Sequence, residues 1–240
     1  RLAELPRQVT LPLDRSVNRC TVVPCVADGA TVARGEAMAR GDDLTLAAPL
    51  AGTVGITGDR LTVTADGSGR AVRLPPPPAD AAALPAFAAA AGLAGMGGSH
   101  FPAAIKLRAA AGATTLVINA VECEPHLAID ESLLLHETAT VRAGADWQAG
   151  LLGLSRIVVA AQQAAAARAR RADYDVLALP DTYPAGAERL IVQALTGEPL
   201  PPGVLPMRRD CLVFSVASLH ALGRAVRDGE GWKITGRKLW

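Results

Sequence analysis

Hydrophobic and polar positions fall into two regimes along the chain. From residue 8 to 73 they alternate in short runs, QVTLPL, CTVVPCV, LTLAAPL, TVGIT, RLTVTA and RAVRL, separated by Gly, Asp and Asn. Period-two alternation between turn residues predicts short half-buried strands, hence an all-β module. Leu74 to Ala94 holds four consecutive prolines, Pro75 to Pro78, followed by an Ala-rich stretch. This predicts a stiff extended linker leading into a helix. Beyond Gly95 the runs lengthen. TTLVINA, SRIVVAA, YDVLALP and CLVFSV predict buried strands, whereas ESLLLHETATVRAGADWQAGLLG, Gln162 to Arg171, AGAERLIVQALTG and ASLHALGRAVRDG predict helices. Strands alternating with helices predict a mainly parallel sheet covered by helices on both faces, with ligands beyond the carboxyl ends of the strands. The tail GWKITGRKLW reads as one further short strand.

Composition supports a folded chain and removes several function classes. The 240 residues are 50% apolar and 20% charged, enough for one large or two small domains with a real core. Lys and Arg number 24 against 23 Asp and Glu, a net charge of +1, so no global field draws in nucleic acid or an anionic membrane. The closest of the four cysteines, Cys20 and Cys25, form a C-x4-C pair, and Cys123 and Cys211 stand far apart, so neither a metal site nor a disulfide framework is expected. No apolar run reaches the length of a membrane span, and the amino-terminal stretch lacks the order of a signal peptide. The expected location is the cytoplasm, with no direct membrane span.

The first module resembles the barrel-sandwich hybrid of lipoyl and biotinyl domains, carried by the A-P-x-x-G-x-V turn of Ala48 to Val54. No lysine precedes Lys106, so an amide-linked lipoyl or biotinyl group is excluded and a docking or scaffolding role is expected. The expected organisation is a barrel-sandwich-hybrid-like module over 1–74, a Pro/Ala-rich linker and helix over 75–94, a Rossmann-like domain over 95–230 and a short tail over 231–240.

Two local patterns carry chemistry. In GMGGSHFPAAIKL, Gly95 to Leu107, clustered glycines let successive amides approach one anion, and Lys106 follows at a distance suited to the same anion. A phosphate is the natural guest, although glycines alone serve equally as a turn into a helix. In VINAVECEPH, Val117 to His126, Asn119, Glu122 and Glu124 follow a buried strand directly. Asn119 suits a heteroaromatic edge or a ribityl hydroxyl, and the carboxylates favour hydroxyl or amide donors over a second phosphate. The same loop also reads as a strand-to-helix connection with solvated acids. Nucleophilic catalysis by Cys123 with His126 lacks an identifiable orienting group.

These segments, with DTYPAGAERLIVQALTGEPLPPGVLP and LVFSVASLHALGRAVRDG in series, resemble the C subunit of Rnf electron-transport complexes, related to the flavin-bearing subunit of respiratory complex I. The resemblance implies FMN held by Gly95, Gly97, Gly98 and Lys106, with Asn119 and Glu122 near its ring or ribityl chain. It further implies Glu124 facing the nicotinamide of NADH as the catalytic residue, Phe101 stacking on a dinucleotide ring, and Gly186 and Glu188 at the same cleft. Ser215 and Ser218 stand where the family has Asn and Thr in a flavin-touching turn. His100 and Ala103 stand where it usually has Gly and Thr. The family's small β-grasp module and cysteine-rich cluster motifs do not occur within these residues, so a shortened relative is expected, with electrons leaving through a partner's iron–sulfur centre. The implied activity is an NADH-dependent FMN oxidoreductase subunit. Its partners would be other subunits of an electron-transfer complex, including an iron–sulfur protein, at most peripheral on the cytoplasmic face of a membrane complex. The competing expectation is a relative without redox cofactor that serves as a structural or docking subunit.

Overall fold

In the computed structural model, residues 6–13, 21–96, 100–122, 127–170 and 173–229 are described. Strands β1 (Gln8–Pro12), β2 (Val23–Pro24), β3 (Thr31–Val32), β4 (Ala37–Arg40), β5 (Thr45–Ala47), β6 (Gly52–Thr57) and β7 (Arg60–Ala65) form two antiparallel sheets. One has the order β1-β7-β6-β3 and the other β2-β4-β5. Alternation explains the packing: Leu61 and Val63 point inward from β7 and are fully buried with Val32, Met38 and Val54. Each such side chain contributes about 1.5–3 kcal/mol by leaving water. The short strands β3 and β4 lie in the glycine-punctuated run ATVARGEAMAR, where apolar and polar residues alternate. RAVRL is not a strand; Ala71 makes only an isolated bridge to Arg34. Cys20 and the tail 231–240 lie outside the described residues.

The second half supplies α1 (Leu84–Ala90), α2 (Ala103–Arg108), β8 (Thr115–Asn119), α3 (Ile129–His136), α4 (Thr138–Leu152), β9 (Arg156–Gln162), α5 (Gln163–Ala169), β10 (Asp175–Leu179), α6 (Glu188–Thr196), β11 (Cys211–Ser215) and α7 (Val216–Asp228). The strand order is β10-β9-β8-β11 and every pairing is parallel. The chain moves outward from β8 to β10 and then returns to the other side of β8. Ile118 and Phe214 pack with Val141 of α4 and Leu219 of α7, while Val117 and Val213 pack with Ile191 and Val192 of α6. Helices therefore cover both faces, and the α/β architecture expected from the sequence is present.

The single helix expected over 131–153 is two helices. At Glu137 the backbone leaves helical geometry (φ −125°, ψ 24°), and the Thr138 hydroxyl donates to the Leu134 carbonyl that a continuous helix would give to the residue 138 amide. Contacts among the described residues tie the halves together. Arg108 of α2 pairs with Asp43 between β4 and β5, and the Leu74 amide donates to the Gly229 carbonyl beyond α7 (2.7 Å).

Candidate functional site

The reversal of strand order between β8 and β11 leaves a crevice at their carboxyl ends, the position where open parallel sheets receive ligands. A cleft of about 240 Å³ occupies it, somewhat below the roughly 300–1,000 Å³ of ligand pockets. Its lining includes Gly95, Phe101, Lys106, Asn119, Gly186, Glu188, Ser215 and Ser218. The sequence patterns at 95–107, 186–188 and 215–218 thus converge on one place with Asn119. Gly97, Gly98 and Glu124 lie outside the described residues, as do Cys123 and His126.

Each polar side chain of the cleft has a protein partner. The Gly95 amide donates to the Phe101 carbonyl (2.8 Å) and the Gly95 carbonyl accepts from the His100 amide (3.0 Å), closing the base of the Gly-rich loop. His100 itself adopts a positive φ of 48°, where the family usually has Gly. Lys106, on the last turn of α2, donates to the Glu188 carboxylate and to the Val213 carbonyl (3.0 Å), and its ammonium lies 5.7 Å from the Phe214 ring centroid. Its charge is therefore compensated within the cleft. Asn119 donates to the Gly186 carbonyl (3.0 Å) and accepts from the Val121 amide (3.1 Å), joining the loops that follow β8 and β10.

Glu122 is placed differently from its neighbours. Its carboxylate accepts from the amides of Asp130 (2.9 Å) and Glu131 (3.5 Å), the first turn of α3, and it is not among the residues lining the cleft. A carboxylate on those unpaired amides also complements the helix dipole. The two serines have distinct local roles. Ser215 is the N-cap of α7 and accepts from the Ser218 amide (3.2 Å), a task at which Ser and Asn are equivalent. Ser218, 5% exposed, accepts from the Met96 amide (3.3 Å) and lies 3.4 Å from the Ala94 carbonyl, so α7 holds the start of the Gly-rich loop. Both serines thus hold backbone at the start of α7 and of the Gly-rich loop.

Sequence reasoning missed Ala103, Val213 and Phe214 as lining residues, and it missed Asp130. The Asp130 carboxylate accepts from the Ala217 amide (2.9 Å) at the start of α7. The signal available was an acid in the first turn of a helix, common for purely local reasons. Among the described residues, no group of three or more His, Cys, Asp or Glu side chains could hold a metal ion, and no helix is long and apolar enough to cross a membrane.

Residues 88–224 match the Nuo51 FMN-binding domain family. Over most of its length the chain is similar to the C subunit of the ion-translocating oxidoreductase complex of Rhodobacter capsulatus. The two are 32% identical over 256 aligned positions, covering 94% of this chain and 49% of that protein. The corresponding C subunit of Pseudomonas aeruginosa is 31% identical over 252 positions, covering 93% of this chain and 32% of that protein. The chain thus spans from about a third to about half the length of these relatives. A chain of an NAD+-reducing [NiFe]-hydrogenase in the H2-reduced state shares the fold at TM-score 0.50 and 22% identity, covering 59% of this chain and 30% of that chain. With that fold, a cleft at the strand reversal and a match across its second half, the chain belongs to the Nuo51 FMN-binding domain family and is similar to the C subunits of Rnf complexes.

Proposed function

We propose that this chain is the flavin-holding part of an electron-transfer complex, with FMN seated in the cleft between β8 and β11. The observation that carries the reading is convergence: an ammonium, two helix-end hydroxyls, an amide side chain and an aromatic ring meet at the strand reversal of an FMN-binding family fold. This donor set fits a mononucleotide, which needs an apolar wall for its ring, polar groups for its hydroxyls and a cation or amides for its phosphate. When bound, FMN supplies the capacity to take a hydride from NAD(P)H and release electrons singly to a partner's iron–sulfur centre.

The chain's own residues bind and orient. Phe101 offers a flat apolar surface, Lys106 a charged donor, and Asn119 fixes the Gly186 loop against β8. Ser218 holds Ala94 and Met96, and with them the approach to Gly97 and Gly98. Asp130 already occupies the Ala217 amide, so an incoming anion is turned away from the start of α7 and towards Lys106 and the Gly-rich loop. In this proposal Glu124 faces the nicotinamide, Glu122 secures α3 beside the flavin site, and the chain lies peripherally on the cytoplasmic face of a membrane complex.

The specific observation favouring the alternative, a structural or docking subunit without flavin, is that the cleft's polar side chains have protein partners. Reconstitution separates the two readings. The purified chain is incubated with FMN, desalted and examined by visible spectroscopy before and after NADH under anaerobic conditions. The proposal predicts retained flavin absorbance that bleaches with NADH; a colourless protein overturns it in favour of the structural reading.

A further inference from the structure

The partners of Lys106 differ in how readily they can be exchanged. The Val213 carbonyl is fixed in the backbone of β11, whereas Glu188 is the first residue of α6 and its side chain is 37% exposed, against 13% for Lys106. An ammonium has three donors, and these two contacts use two of them. A phosphate approaching Lys106 therefore meets a carboxylate on the same cation. Two anions at one ammonium repel each other, so they compete for it. Glu188 has somewhere to go, because it borders solvent and sits in the first helical turn, where the dipole supports a carboxylate without Lys106.

We propose that Glu188 is an internal counter-anion that competes with a ligand's phosphate for Lys106 and thereby sets how tightly the mononucleotide end of a flavin is held. This rests on the FMN reading of the cleft. The carboxylate compensates the partly buried ammonium, and it turns outward when a phosphate takes its place. Glu188 accordingly weakens the hold on the phosphate and leaves the hold on the ring and ribityl chain unchanged. Riboflavin, which has the same ring and ribityl chain but no phosphate, is indifferent to it.

The test titrates FMN and riboflavin separately into the whole chain and its Glu188→Gln variant, following flavin fluorescence. Loss of the competing charge lowers the FMN dissociation constant about tenfold, with riboflavin unchanged. An FMN constant that stays the same or rises, or a riboflavin constant that falls equally, overturns the proposal. A second readout needs no flavin. The acetylation rate of Lys106 by an N-hydroxysuccinimide ester, followed by peptide mass spectrometry, rises several-fold in Glu188→Gln because the ammonium has lost its charged partner. Equal rates overturn the proposal. If the wild-type chain binds neither flavin, the FMN reading falls and this proposal with it, whereas FMN binding of equal strength in both chains overturns this proposal alone. Glu188→Ala, which removes the pairing atoms at an exposed helix start, repeats both measurements should the Gln side chain hold Lys106 by a residual hydrogen bond.

Discussion

Substituting Gly223 by Ala tests how α7 is positioned, and through α7 the floor of the cleft. Helices α4 and α7 cross with their backbones nearly touching. A Cβ on Gly223 would lie 2.0 Å from the Thr140 carbonyl oxygen and 3.1 Å from the Gly144 amide, and one on Gly144 would lie 2.1 Å from the Leu219 carbonyl oxygen. The obstructing atoms belong to helix backbone, so relief requires the helices to move apart by more than an ångström. Overpacking of this kind costs about 1–3 kcal/mol, against about 1 kcal/mol of helix propensity gained from Gly to Ala; with rigid backbone as the obstacle, a net loss of about 2 kcal/mol is expected. Gly150, also in α4, supplies the control, since nothing lies within 4 Å of its added Cβ. Gly150→Ala should stabilise by up to about 1 kcal/mol. Urea unfolding followed by circular dichroism measures both. Opposite signs are predicted, and a Gly223→Ala chain as stable as wild type would refute the close crossing. Because Ser215 and Ser218 begin α7, the same variant should also weaken FMN binding.

Three further outcomes follow from named contacts. Glu122→Gln removes charge from the first amides of α3 and should lower stability by about 1 kcal/mol in urea unfolding with FMN affinity unchanged; lost affinity at constant stability would make Glu122 a ligand contact instead. Burial pushes the His220 pKa down, opposed by Glu137 3.9 Å away and assisted by Arg224 and Arg227. The folded state then binds fewer protons at this site than the unfolded state. Its contribution is present above the ordinary histidine pKa and is lost as pH falls through the lower folded value, so His220→Gln should show a smaller drop in urea midpoint between pH 7.5 and pH 5 than wild type; equal drops would contradict this. Asp130→Ala leaves the Ala217 amide without its carboxylate, costing about 1 kcal/mol in urea unfolding; an unchanged midpoint would show that the cap contributes nothing.

How far the sequence exposed this arrangement depended on the range of the interactions involved. The strands β8, β9, β10 and β11 were legible because each is a short buried run bounded by turn residues, and the helices that follow each of them were legible from spacing. The break at Glu137 was not, because it rests on one threonine hydroxyl claiming one carbonyl inside a run that otherwise reads as helical. At the cleft, the signal was glycines before a lysine and an asparagine ending a buried strand, whereas Glu122 binds the first turn of α3. The pairing of Lys106 with Glu188 spans 82 residues and joins α2 to α6, which no local pattern encodes. The contact of Asp130 in α3 with the Ala217 amide of α7 is hidden for the same reason. Asn and Ser at position 215 look different as flavin contacts and alike as helix caps, so the departure at Ser215 carries less weight once the cap is seen.

The proposed seating of FMN between β8 and β11 depends on Lys106. The most direct measurement is an equilibrium titration of FMN into the purified chain and into Lys106→Met, read by quenching of flavin fluorescence. The account predicts saturable binding of one FMN per chain, weakened tenfold or more in the variant, where a charge-assisted contact is lost. Absence of saturable quenching by the wild-type chain, or equal affinity in both proteins, would contradict it.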